Sequence, residues 1–293
     1  MKPLPMLATK AAPFDSQDYF FEVKWDGVRV LAAVERDQWH LWGRDGVDYT
    51  ARYPELAVLR RLPSGTVVDG ELVVLSHGRA DLSALLRRHQ RRRPLPAGYS
   101  AVPICYVLFD LLYARGQSLL KEPLLQRRAL LRELLDEVDD PLLAYSDGVV
   151  GAGREFFARV VAEGHEGVMA KRQASRYQPG KRSPAWRKIK PSEIVPCVVI
   201  GYLAGRDGME SLLVATVREG ELRYVGQLTR GFRVSQAVEL AQRLAPRQRS
   251  RPVVPCPHHG CWVEPEIYCR VQCQGWTCHG QLKHAVFRGL LER

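Results

Sequence analysis

The chain has no apolar run approaching the ~20 residues that cross a bilayer. Its opening stretch, MKPLPMLATKAAPFD, lacks the unbroken apolar centre of a secretory signal. Both absences argue for a protein that stays in the cytoplasm. Cysteine is sparse for a secreted scaffold: there are seven in 293 residues, an odd number crowded toward the C-terminus, which does not look like a disulfide framework. Lysine is scarcer than the charge suggests. Only nine of the 43 basic residues are lysine, and five of those nine fall at Lys24 and between Lys171 and Lys190. Arginine is in practice never deprotonated, so a basic nucleophile in this chain has few places to be. No internal repeat and no low-complexity tract is found.

What is present points to a polyanion. The net charge is +11, and a protein this basic usually meets nucleic acid. The length suffices for two domains, and a hydrophobic fraction of 46% supports real cores.

Along the first two-thirds, FFEVK, VRVLAAVE, WHLWG, TVVDGELVVL and ICYVLFDLLY look like strands bounded by Gly, Asp or Pro. DLSALLRRHQ, LLQRRALLRELLDEV and REFFARVVAEG carry helical spacing. Short turns between the early strands favour antiparallel pairing, so the class is α+β rather than a doubly wound parallel sheet. Pro191 and Pro196 then flank a polar link. After it come about five strands with one helix, SQAVELAQRLA, a pattern that fits a small OB-type barrel. The expected domains are residues 1–191 and 192–293. The run Arg87 to Arg93 reads as a solvated helix end or, functionally, as a contact for a phosphate backbone.

The sharpest question sits in FEVKWDGVRV, residues 21–30. Alternation places Phe21, Val23 and Trp25 on one face and Glu22, Lys24 and Asp26 on the other. A surface strand could carry that polar face without any function. The spacing K-x-D-G-x-R, however, resembles the nucleotide-binding lysine motif of the ATP-dependent DNA ligases and their relatives, the RNA ligases and capping enzymes. Further stretches follow in that family's order. WGRDGVDYT supplies Arg44 at a phosphate-contacting position, DGELV supplies Glu71 as a ribose- or metal-contacting carboxylate, and YVLFDLLY supplies Phe109 to stack on adenine. EGVMAKR supplies Glu166 as a metal ligand and Met169 for the other face of the base, and WRKIK supplies Lys188 and Lys190 for the α-phosphate. Glu22 would reach the adenine amino group, and Arg29 completes the nucleotide site.

The resemblance implies an adenylation domain followed by an OB-fold domain. It also implies ATP and Mg2+ (or Mn2+) as cofactors, and a lysyl-AMP intermediate whose AMP passes to the 5′-phosphate of nicked or broken duplex DNA before a 3′-hydroxyl closes the strand. The chemistry suits these residue types. An amine with an ordinary pKa near ~10.4 must lose its proton to attack phosphorus, and cations must meet the charge that grows on the phosphates.

Taken singly, each residue has a plainer reading. Phe109 and Met169 would be core, Glu71 and Glu166 turn or strand-edge carboxylates, and Lys188 and Lys190 a solvated face. Only their joint order overturns this.

The C-terminal stretch resembles the end of small bacterial ligases and of the ligase module of end-joining ligases. There the final motif is R-x-P-x-F followed by Asp-Lys. Here Lys283, Ala285 and Phe287 stand in its first positions, and the sequence reaches Arg293 without the Asp-Lys pair. Slower self-adenylation, or Arg288 in substitution, is expected. Cys256, Cys261, Cys269, Cys273 and Cys278, with His258, His259 and His279, raise a structural zinc as the lesser reading beside reduced thiols. An end-binding or clamp protein is the expected partner of so small a monomeric ligase, with no membrane involved. The rival readings are an RNA ligase or capping-type nucleotidyltransferase, a nicotinamide-dependent ligase, and a non-catalytic nucleic-acid-binding OB protein.

Overall fold

Alternating apolar residues in the first two-thirds build two sheets that face one another across a shared core. The computed structural model describes residues 4–36, 38–90, 103–205, 208–277 and 279–291. The chain divides into two compact units, Met1–Lys190 and Pro191–Arg293.

In the first unit the strands are β1 (Leu7–Lys10), β2 (Ser16–Val23), β3 (Val28–Glu35), β4 (Gln38–Gly43), β5 (Thr66–Ser76), β6 (Arg79–Ala80), β7 (Ile104–Ala114) and β8 (Gln117–Ser118), followed by β9 (Leu143–Tyr145), β10 (Gly148–Gly151), β11 (Val168–Arg172) and β12 (Arg182–Ile189). The helices are α1 (Leu82–His89), α2 (Leu124–Val138) and α3 (Gly153–Ala162). One sheet has the order β1-β12-β11-β2-β10; the other runs β4-β3-β5-β7-β8, with β6 on β5 and β9 on β7. Pairing is antiparallel except for β1 with β12 and β7 with β9. Arg91 to Arg93 of the arginine run lie outside the described residues.

Side-chain alternation sorts three cores. On β3, Val30, Ala32 and Val34 face an outer core with Leu131, Leu135 and Val138 of α2. Leu31 faces the other way, toward Met6, Phe109, Leu112, Tyr177 and Trp186 between the sheets. On β2, Phe21 packs with Val168, Ala170, Phe156 and Val160 on the far side of the other sheet, under α3. Glu22 must therefore point inward, toward the space between the sheets. Caps set the helix ends: Asp81 accepts the Ala84 amide at 2.8 Å at the start of α1, and Asp139 takes a left-handed conformation after α2.

The second unit contains β13 (Glu193–Gly205), β14 (Gly208–Arg218), β15 (Glu221–Leu228), α4 (Val234–Leu244), β16 (Gln248–Arg249), β17 (Cys261–Val263), β18 (Tyr268–Cys273) and β19 (Val286–Leu290). The long β13 pairs with β14, β17 and β18, so one strand serves both halves of a curled, OB-type sheet. Its margins are drawn together by isolated backbone bonds, Leu282 N–H to the Val225 carbonyl at 2.8 Å and Phe287 N–H to the Arg230 carbonyl at 2.9 Å. Among the described residues, no helix is long and apolar enough to cross a membrane.

Candidate active site

Lys24 stands just past the end of β2 rather than within a strand. Its amide donates to the Gly167 carbonyl at 2.8 Å, which docks the turn on the residue following Glu166. Two glycines make this approach possible. A Cβ at Gly27 would lie 2.1 Å from the Leu72 carbonyl oxygen, and one at Gly167, whose φ is +141°, would lie 2.2 Å from the Ile189 oxygen. Any side chain at either position would push apart the elements that carry Lys24, Glu71 and Glu166.

The turn opens on a cavity of about 420 Å3 between the two sheets of the first unit. Eight of the residues singled out in the sequence line it: Glu22, Lys24, Arg29, Arg44, Glu71, Phe109, Met169 and Lys188. Glu166 and Lys190 join it through Lys24, because the Glu166 carboxylate pairs with the Lys24 ammonium through one oxygen and with Lys190 through the other.

Phe109 and Met169 come from opposite sheets, and the inner core containing Leu31, Tyr177 and Trp186 closes the floor. Glu22 lies opposite Met169 in the β2–β11 register and is 1% exposed. Its two oxygens are both engaged, one by Lys171 and the other by Arg128 at 2.7 Å. Arg29 is clamped by a fork to Asp69, with Nε to Oδ1 at 3.0 Å and Nη2 to Oδ2 at 2.6 Å, and it donates to the Met6 carbonyl at 2.8 Å. Tyr177 adds its hydroxyl to Asp69 at 2.7 Å. Burial disfavours the Arg29 charge, but Asp69 outweighs it and the guanidinium is held more firmly protonated than usual.

Two electrostatic features characterise the cavity. Burial pulls the Lys188 ammonium below its ordinary value, and the neighbouring cations Lys24, Arg182, Lys190 and Lys10 pull it further. Such crowding of positive charge suits a polyanion. In contrast, burial pushes the Glu71 carboxyl up to about 7; Arg29 and Lys24 oppose this, while Asp69 and Glu166 add repulsion. A divalent cation would relieve that repulsion, so Glu71 and Glu166 fit a magnesium-type ion, which commonly uses one or two carboxylates beside substrate phosphates. Among the described residues there is no cluster of three or more His, Cys, Asp or Glu suited to a metal, and Cys278 lies outside them.

Three participants were not singled out from the sequence: Lys171, Arg128 and Trp186. Lys171 is 1% exposed, and its ammonium sits 3.9 Å from the Phe109 ring centroid and 4.2 Å from that of Trp186. Burial lowers its proton affinity against the pull of Glu22. Its signal was present in the few lysines. Arg128 was legible as an arginine on the apolar stripe of α2, where Leu124, Arg127, Arg128, Leu131, Leu135 and Val138 are the buried positions.

Comparison with known proteins identifies the family. Residues 5–190 match the family model of the ATP dependent DNA ligase domain, and residues 205–292 match that of the ATP dependent DNA ligase C terminal region. The chain is 33% identical over 301 residues to the multifunctional non-homologous end joining DNA repair protein LigD of Mycobacterium tuberculosis, covering 98% of this chain and 38% of the relative. It is 35% identical over 262 residues to a DNA ligase of Thermococcus fumicolans, covering 83% of this chain and 47% of that one. Among solved structures, a mycobacterial DNA ligase D complexed with ATP and MES superposes with a TM-score of 0.59 at 32% identity, covering 99% of this chain and 95% of the other. The chain thus spans well under two-thirds of the length of these curated relatives.

Proposed function

The chain belongs to the ATP-dependent DNA ligase family, and from that membership we propose that it joins 5′-phosphate and 3′-hydroxyl ends of nicked or broken duplex DNA in DNA repair, through an AMP adduct on Lys24. The observation that carries this reading is the position of the Lys24 ammonium. Lys24 lines a cavity of about 420 Å3 together with Phe109, Met169 and Glu22, and the cations Arg29, Arg44 and Lys188 line it too.

Phe109 and Met169 take the faces of adenine, and Glu22 accepts from its exocyclic amine. The α-phosphate then lies near Lys24, with Lys188, Lys190 and Arg44 around the phosphate chain. The Nζ lone pair of Lys24 forms a bond to the α-phosphorus as the bond to pyrophosphate breaks. The displaced proton has an acceptor already in contact, the Glu166 carboxylate. Negative charge develops on the pyrophosphate oxygens, and the cations stabilise it where it grows. A divalent ion held by Glu71 and Glu166 would supply further charge to the phosphates.

In the second step a DNA 5′-phosphate oxygen attacks the adenylate and Lys24 leaves as the amine. In the third a 3′-hydroxyl attacks that activated 5′-phosphate and AMP leaves. The OB-type second unit serves as the DNA-holding half, and the end-joining relatives support an end-binding protein as the partner that delivers breaks.

The test is incubation with α-labelled ATP and magnesium beside a Lys24→Ala variant, followed by denaturation. Label on the wild type alone supports the reading, and no label on protein stripped of prior AMP would sink it. Sealing of nicked DNA but not nicked RNA then fixes the acceptor.

A further inference from the structure

We propose that Arg128 is a positioning residue for base selection, tying the carboxylate that reads the base amine to the backbone of the ring that stacks on the base. This rests on the nucleotide site described above and extends it to a residue that does not line the cavity.

Arg128 projects from α2 and is 2% exposed. Its Nη1 donates to Glu22 Oε2 at 2.7 Å and to the Phe109 carbonyl at 3.2 Å. Its Nη2 donates to the Ser146 carbonyl. The guanidinium is held between two rings, with Cζ 4.1 Å from the Phe20 centroid and 4.6 Å from that of Tyr145. Glu22 belongs to one sheet and Phe109 to the other. Nη1 of Arg128 therefore sets the spacing between the carboxylate and the backbone of the stacking residue, Nη2 fixes the guanidinium plane on Ser146, and Lys171 takes the second Glu22 oxygen.

The chemical consequence is directional. A carboxylate gripped by two cations only accepts hydrogen bonds, so it welcomes a purine bearing an amine at that edge and repels one bearing a carbonyl. Lysine at position 128 keeps the charge but has one nitrogen where arginine has two, so it cannot reach Ser146 while holding Glu22 and Phe109.

The experiment measures self-adenylation with ATP, with purine riboside triphosphate, which lacks the exocyclic amine, and with GTP, in wild type, Arg128→Lys and Glu22→Gln. Wild type should prefer ATP to purine riboside triphosphate by about tenfold or more, the value of a hydrogen bond to a charged group. Arg128→Lys should erase most of that preference through KM for ATP, with kcat held within about threefold, and should match Glu22→Gln. Equal weakening with both nucleotides, or an unchanged ratio, would mean that Arg128 only supports the fold and would overturn the proposal. If near-UV circular dichroism shows Arg128→Lys unfolded, Tyr145→Leu removes one face of the clamp and leaves the bonds in place. It should narrow the ratio by about twofold or more, and an unchanged ratio would be equally fatal. Wild type that forms no adduct with any nucleotide would instead overturn the ligase reading itself, and with it this role.

Discussion

The two units bury polar groups in opposite ways. In the first, Glu22, Asp69, Asp110, Arg127, Arg128 and Lys171 are all buried. In the second, Ser211 is the one buried polar or charged residue among those described, and the core includes the thiols of Cys197, Cys269 and Cys273. Burying ions costs free energy that pairing recovers only when the geometry is good, so buried ion networks are poor sources of stability. They are good at fixing where side chains point. In the proposed function the first unit orients a nucleotide and the second presents a surface, and the distribution of buried charge fits that division.

The largest effect should come at the reacting group. Lys24→Ala should reduce protein labelling by α-labelled ATP to background while leaving the unfolding free energy from urea titration within about 0.5 kcal/mol of wild type, because the side chain is partly exposed and its loss strands no buried ion. A large fall in stability instead would mean that Lys24 is part of the scaffold.

Next comes the buried pair beneath α2. Arg127 donates to both oxygens of Asp110, Nε at 2.7 Å and Nη2 at 2.9 Å, with both side chains fully buried. Asp110→Ala should cost about 3–5 kcal/mol, since it leaves a guanidinium unpaired. The loss should appear in the unfolding of the first unit only. A shared loss in both units would break the contrast drawn here.

The matching probe of the second unit is Leu212→Ala, which removes a fully buried side chain from an apolar core. About 2–5 kcal/mol is expected from lost burial and the cavity left behind, with self-adenylation of the first unit kept within about twofold. Tandem loss of adenylation would show that the units are not independent in this respect.

The smallest effect sharpens the contrast by pH. Burial pushes Cys197 and Cys269 up to about 12 and Cys273 up to about 11. The thiolate is the reactive form and a raised pKa keeps the thiol protonated, so at pH 8 iodoacetamide should leave these three untouched in the native protein. Half-buried Cys105, Cys256 and Cys261 should be labelled before them. Mass spectrometry after brief exposure decides it, and early modification of Cys269 would show that the second core is loosely packed.

Much of the fold was legible. The helix over LLQRRALLRELLDEV has the bounds that its spacing predicts, because three buried leucines and a valine repeat at helical intervals. In FEVKWDG the alternation holds only as far as Val23: Phe21 and Glu22 do point opposite ways, but β2 ends there, and Trp25 lines the same cavity as Lys24 instead of the opposite face. What differed was burial. The face carrying Glu22 was expected to be polar surface if functionless, whereas it lies against a second sheet that no local pattern announces. Strand β1 escaped notice for a related reason: four residues give little periodicity, and its parallel partner β12 lies more than 170 positions away.

By itself, the sequence determined the inventory: which side chains could act as nucleophile, carboxylate or stacking ring, in what order, and on what kind of element. Spacing and residue type carry that information because local geometry and titration chemistry are properties of short segments. Only the tertiary structure decided which of them meet. It placed Lys24 against Glu166, gripped Glu22 between Arg128 and Lys171, and drove a helix arginine into the core to do so. Those pairings span more than 100 residues of chain. They exist because two sheets close over one core and leave buried charges no counter-charge but each other.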